Sequence, residues 1–485
     1  MVRRLVAAVA VAVALPATAN AQVPNPTVEG PIEGGVRGYP WNKSLFDLEK
    51  PDYSEKEYFF GGVATNLSSG LTAPYKSRML VRLPRDPKDF TGTVTVEWLN
   101  VTGQNDLETS WPPAGEYMME QGVGYVGVSA QLAGVCCGPT TLKGWDATRY
   151  ATLVHPGDEF SFDIFSQAIE ALSDPAHNAT TPGSPKQIDP MLGMEPEHIV
   201  ANGASQSAGR LTTHVNDGYN RGGIDLYTIT RGGGPYDDFS TPIFQLNEEG
   251  LGELQPDSDS YRAWEEAGTA HAPAAWWNYV WAELQRDHVG APAPDALNVA
   301  CAVNRGSVDY SARALAFWTE QYFKNGTLPP SVPRIERDEN GDVVRDEHGL
   351  AVGGIRHPFI EVPVAHNAAE GCPLWGTYKS WSSEKIKSLY PTHGEYVDQV
   401  KDWAGREVKL GWMIPADRDD AIRKAEQFDL PWTAGSCYDT YNQQANETGP
   451  LSGPIGQASF EPSLPAGSQA ALREANCNAV VPLGL

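Results

Sequence analysis

Beyond its first residues, the 485-residue chain has no apolar run near the roughly 20 residues that a membrane-spanning helix needs. Cations are scarce: 36 Lys and Arg stand against 61 Asp and Glu, a formal net charge of -25. Such a surface repels a phosphate polyanion at every approach, so nucleic-acid binding is excluded as a function class. None of the six cysteines is spaced as Cys-x-x-Cys, which removes zinc-ribbon and thioredoxin-type redox roles. No internal repeat marks a solenoid. What remains is a globular composition, 41% hydrophobic and 20% charged.

The N-terminus reads as a leader. Arg3 and Arg4 precede an apolar stretch over 5–15, followed by Pro16 and by Ala19-Asn20-Ala21. A charged start, a short apolar run and small residues at the end are the parts of a secretory signal. Residues 1–21 are therefore expected to be cleaved before Gln22, leaving a secreted or periplasmic chain. Cleavage removes two arginines and no acid, so the charge becomes -27. Cys136, Cys137, Cys301, Cys372, Cys437 and Cys477 agree with export, since six cysteines allow up to three disulfides. Adjacent Cys136 and Cys137 are expected to reach different partners.

Residues 22–55 are rich in Pro and Gly and read as an arm. Short apolar runs then alternate with helical spacing through a catalytic domain over 56–330. Strands are predicted over 57–63, 78–83, 93–99, 124–130, 197–201, 226–230, 242–246 and 261–265. Helices are predicted over 117–121 and 158–172, and over 308–323 with Ser307 before it and Gly326 after it. Strands alternating with helices imply a mostly parallel sheet with right-handed crossovers. Over 331–485 an extension is predicted with a turn-rich hairpin at 338–349, a strand over 359–364, and helices over 398–404 and 419–428. The Asp-rich hairpin lacks the glutamate that closes an EF-hand loop, so a solvated turn is the better reading than calcium.

The chemistry concentrates in the run Ala201-Asn202-Gly203-Ala204-Ser205-Gln206-Ser207-Ala208-Gly209. A buried strand leads in and an amphipathic helix leads out. That is the context of a nucleophile elbow, where a cramped turn lifts a serine hydroxyl above the sheet. Ser207 replaces the second glycine of the usual Gly-x-Ser-x-Gly. The bland reading is an ordinary turn with Ser205 as helix cap. A serine nucleophile needs a base, and the base an orienting acid, in the chain order serine, acid, histidine. His271 lies in a small-residue loop directly after the 261–265 strand; His366 follows the 359–364 strand in the same manner. His288, His348, His357 and His393 occupy polar or turn contexts where solvated histidine is expected. For the acid, Glu249 comes first, Glu248 second and Asp238 third. The oxyanion is expected to meet the backbone N–H of Gln206 and an N–H from the loop Asn100-Val101-Thr102-Gly103.

The chain resembles the bacterial, secreted α/β-hydrolase domain-containing family of serine hydrolases, distantly related to carboxylesterases. The likeness is carried by Val96-Glu97-Trp98-Leu99-Asn100-Val101, by Arg149-Tyr150 with His155-Pro156-Gly157-Asp158, and by the Ser205-Gln206-Ser207 elbow. It extends to Trp264-Glu265-Glu266-Ala267-Gly268-Thr269-Ala270-His271, Gly326-Thr327-Leu328-Pro329-Pro330 and Gly353-Gly354-Ile355-Arg356, nearly the whole mature chain. It implies an α/β-hydrolase fold, Ser205 as nucleophile, His271 rather than His366 as base, and Glu249 as acid. The loop Asn247-Glu248-Glu249-Gly250 departs from the family's texture there. The resemblance also implies that the region past about 330 wraps back over the catalytic domain. Read from the residues themselves, Trp276, Trp277 and the Trp375 segment are expected to contribute an apolar lid. The expected activity is hydrolysis of a small-molecule ester through an acyl-enzyme, with no cofactor, no metal, no membrane insertion and no protein partner. An amidase or a lactone- or polyester-cleaving enzyme would use the same triad. An inactive hydrolase fold serving as a binding protein is the rival of another class.

Overall fold

The computed structural model describes residues 23–179, 187–252, 254–287, 303–434, 436, 438 and 439. The leader, its cleavage site, Cys301, Cys437, Cys477, His288 and nearly all of the stretch from Gly435 onward lie outside the described residues.

Nine strands form one sheet in the order β1-β2-β3-β5-β4-β6-β7-β8-β9. Its antiparallel side holds β1 (Thr27–Glu29), β2 (Tyr53–Thr65) and β3 (Thr72–Pro84). The β2–β3 hairpin runs in unbroken register from Tyr53↔Pro84 to Thr65↔Thr72. Beyond it, β5 (Gly124–Val128), β4 (Thr93–Trp98), β6 (His198–Ala204), β7 (Leu226–Thr230), β8 (Ile243–Glu248) and β9 (Tyr261–Glu266) are all parallel. The expected mostly parallel sheet is what forms.

Every residue of β4 is buried because helices cover both faces of the sheet. Val94, Val96 and Trp98 point into a core shared with Ile164, Phe165 and Ala168 of the helix Ser161–Ser173. Thr93, Thr95 and Glu97 alternate onto the other face. There Glu97 accepts hydrogen bonds from Thr109, Ser110 and Tyr125, so the buried carboxylate is satisfied. On this second face Val200, Leu226, Phe244 and Trp264 pack against Ala314 and Leu315 of the helix Val308–Asn325.

The segment after 330 returns to the same core. Val332, Ile355 and Ile414 join that cluster, and Ile355 bridges Glu266 as an extra parallel rung at the edge of the sheet. A satellite core follows, with Tyr396, Val400, Phe428 and Leu430 at its centre. Among the described residues no helix is long and apolar enough to cross a membrane.

Three local expectations are corrected. The stretch 359–364 is not a strand: Pro358 starts a short helix, Pro358–Glu361, because its fixed φ suits the first helical position. The strand comes later as β10 (Ala365–Cys372), paired with β11 (Gly376–Ser380). The helix predicted over 117–121 begins at Trp111, with Pro112 and Pro113 in its first turn. Cys136 and Cys137 are bonded to each other rather than to separate partners. Cys137 adopts a left-handed backbone, φ 86°, and the turn brings the two sulfurs together.

Candidate active site

The strand β6 ends in Gly203-Ala204, and Ser205 follows with φ 59° and ψ -118° before the helix Gln206–Asn216 begins. A non-glycine residue in this region is strained, and the strain is held by packing on both sides. Gly203 is needed here: a Cβ on it would lie 3.0 Å from Leu211 Cδ1 and 3.2 Å from Ser207 Cβ. Ser207, fully buried, is small enough to replace the usual second glycine.

His271 Nε2 lies 2.7 Å from Ser205 Oγ, and His271 Nδ1 lies 2.5 Å from Glu248 Oε1. An ionised carboxylate only accepts, so Nδ1 carries the proton and Nε2 accepts from the serine hydroxyl. Glu248, the last residue of β8, is 2% exposed. The acid meeting the imidazole is thus Glu248 and not Glu249, the expected first choice. Glu249 lies one residue past the end of β8, in the turn, and its carboxylate is committed elsewhere. Glu249 Oε1 pairs instead with Arg345 at 2.6 Å, and its Oε2 accepts the Gly268 N–H at 2.7 Å. Its own N–H donates to Thr269 O, so Glu249 clamps the loop that carries His271. Asp238 is exposed and accepts the Ser240 N–H. His366 sits on β10 opposite Lys379 and does not line the wall that holds Ser205.

Asn304 is a further anchor that the sequence did not disclose. Its Oδ1 accepts from the Ala270 and Gly306 N–H groups, and its Nδ2 donates to Gly268 O and Ala368 O. No motif marks it; its role exists only because two distant loops meet.

Gln206 opens the helix, where an N–H has no partner within the helix itself. In the loop after β4, the Asn100 N–H is spent on Leu107 O and the Thr102 N–H on Asn100 Oδ1. Asn100 Nδ2 donates to Ala204 O and ties this loop to the elbow. Asn100 therefore cannot supply an oxyanion donor from its backbone as expected. Val101 keeps an N–H with no acceptor among the described residues.

Above the serine opens a cavity of about 820 Å³. Ser205 and His271 lie in its wall with Trp145, Trp276, Trp277 and Trp375. Trp276 and Trp277 belong to the helix Ala274–Arg286, which the sequence reading passed over. Trp375 arrives from the turn between β10 and β11, held where Leu374 O accepts the Ala272 N–H and Trp375 O accepts the Asn304 N–H. A reacting group seated beside Ser205 would meet a hydroxyl, an acceptor nitrogen and two amide donors inside an aromatic enclosure. That set of parts suits acyl transfer.

The family described as Alpha/beta hydrolase domain matches residues 28–423, and the chain belongs to it. The sheet is the α/β-hydrolase fold that the resemblance implied. No curated protein matches the chain. Among solved structures it is similar to the esterase Est22, at 10% identity and a TM-score of 0.30, over 50% of this chain and 82% of that one. It is also similar to an α/β serine hydrolase without a lid from Xanthomonas campestris, at 11% identity and a TM-score of 0.23, over 43% and 74% of the two chains.

Proposed function

We propose that this protein hydrolyses carboxylic esters through an acyl-enzyme on Ser205. The observation that carries the reading is the line from Ser205 Oγ to His271 Nε2 at 2.7 Å and from His271 Nδ1 to Glu248 Oε1 at 2.5 Å. In this reading Ser205 Oγ attacks the ester carbonyl while His271 Nε2 takes its proton. Glu248 stabilises the imidazolium and holds the tautomer. The negative oxygen of the tetrahedral intermediate is met by the N–H groups of Gln206 and Val101. Collapse expels the alkoxide, which receives the proton from His271. Water, deprotonated by the same nitrogen, then attacks the acyl-enzyme and frees the acid and Ser205.

Labelling by a fluorophosphonate probe tests this directly. The wild-type protein should label at Ser205 and hydrolyse p-nitrophenyl esters, and Ser205→Ala should do neither. Hydrolysis by Ser205→Ala at the wild-type rate would overturn the reading. Export belongs to the same proposal and rests on the 1–21 sequence alone. N-terminal sequencing of protein recovered outside the cytoplasm should begin at Gln22.

A further inference from the structure

The cavity differs in charge from the chain that encloses it. Acids outnumber Lys and Arg by 61 to 36 overall, yet no described residue lining the cavity carries a carboxylate. Two arginines do line it, Arg231 and Arg37.

Arg231 is 7% exposed and stands between two pockets: it lines the wall that holds Ser205 and His271, and also a neighbouring pocket that Glu248, Glu266 and Glu320 line. Its guanidinium carbon lies 5.3 Å from the ring centre of Trp276. Among the described residues no carboxylate stands within 4.0 Å of it and its side chain makes no hydrogen bond. Lone buried guanidinium groups are costly, and arginines this deep are ordinarily paired. The other deeply buried arginines follow that rule: Arg78 pairs with Glu57 and Arg82 with Glu55 and Glu108. Burial pushes the Arg231 guanidinium below its ordinary pKa, against the more distant pull of Glu248, Glu266 and Glu97.

The backbone adds an independent sign. Arg231 has φ 56°, a left-handed conformation that favours glycine, and three glycines follow it. The chain thus keeps a long cationic side chain at a position where the backbone alone would prefer none. Arg37 stands over the ring of Trp145 at 5.4 Å and likewise forms no ion pair among the described residues.

We infer that the cavity is built for an anionic ester, one that bears a carboxylate on an aromatic or large apolar body, with Arg231 as the carboxylate receptor. This rests on the ester-hydrolase reading and names its substrate class. A planar carboxylate matches the two-pronged donor edge of a guanidinium, and the indole faces match the body of the substrate. In a chain with a net charge of -25, the receptor must be local, because the long-range field repels the same anion.

The test compares 4-acetoxybenzoate with its neutral isostere 4-acetoxybenzamide on the full protein, each rate corrected for uncatalysed hydrolysis. The wild type should favour the anionic ester by at least tenfold in kcat/KM. Arg231→Gln should lower that ratio at least tenfold, and Arg231→Lys should keep part of it. In case Arg231→Gln fails to fold, inhibition of the wild type by benzoate and benzamide gives a second measure, with benzoate expected to bind at least tenfold more tightly. A wild-type ratio near one, an unchanged ratio in Arg231→Gln, or equal inhibition by the two compounds overturns the inference. If neither ester is cleaved and Ser205 does not label, the ester-hydrolase reading falls with it. If both are cleaved alike, only the anion receptor falls.

Discussion

At the ends of β8 and β9, Glu248 and Glu266 stand opposite each other in register, and each reaches a different histidine. Glu248 meets His271, whose side chain is 14% exposed and faces the serine across the cavity wall. Glu266 lies 3.4 Å from His357, which also contacts Glu407 at 3.1 Å and Ser311 at 2.8 Å, and the imidazole is only 2% exposed. Burial alone would push His357 down, but the carboxylates of Glu407 and Glu266 outweigh it and hold its pKa up to about 10. One imidazole turns an acceptor nitrogen to a serine hydroxyl. The other stays charged, with both ring nitrogens occupied, and joins the helix Val308–Asn325, the helix His393–Leu410 and the end of β9. Under the proposed function the same pair of residue types would serve proton transfer beside the cavity, while at Glu266 and His357 it acts as a strut.

The largest expected break is at the serine. Ser205→Ala or His271→Ala should cut kcat by about 10⁶-fold, as for other triads whose members act as a unit, whereas His366→Ala should leave the rate within about threefold; steady-state kinetics on one ester decides. Next comes the neighbouring pair of carboxylates. Glu248→Gln should cost about 10⁴ in kcat by losing the imidazole's orientation. Glu249→Gln should cost no more than about tenfold, and a reversed order would move the acid back to Glu249.

His357→Gln removes one partner of a buried ionic cluster. It should lower unfolding free energy by about 3–5 kcal/mol in urea titration, with a far smaller effect on kcat than any change at His271. Glu249→Gln should lower stability by about 1–3 kcal/mol, since Arg345 and the Gly268 N–H lose a charged acceptor. The last effect is a slope in pH. A folded pKa near 10 against an ordinary histidine value of about 6.5 means that the stabilisation from His357 is complete below about pH 6.5 and is lost as pH rises towards 10. Urea midpoints should therefore fall across that window in the wild type, and less so in His357→Gln.

Much of the site was legible because its signals are local. The elbow shows in sequence because small residues must crowd at Gly203 and Ser207, and His271 shows because a loop of small residues follows a strand. His357, expected in solvent, is buried instead, because its partners Glu266 and Glu407 come from segments far apart in the chain.

The sequence alone thus pointed to a parallel sheet and to the serine on its turn, since periodicity and turn chemistry act over a few residues, and it narrowed the histidine to His271 or His366, between which the family resemblance chose. Tertiary structure alone decided which of two adjacent glutamates faces the imidazole, because β8 ends between them and Glu249 is committed to Arg345. It also decided that Cys136 bonds to Cys137, that Asn304 braces the His271 loop, and that Arg231 stands without a carboxylate in the cavity wall. Those outcomes depend on which distant segments meet, and spacing along a chain does not encode that.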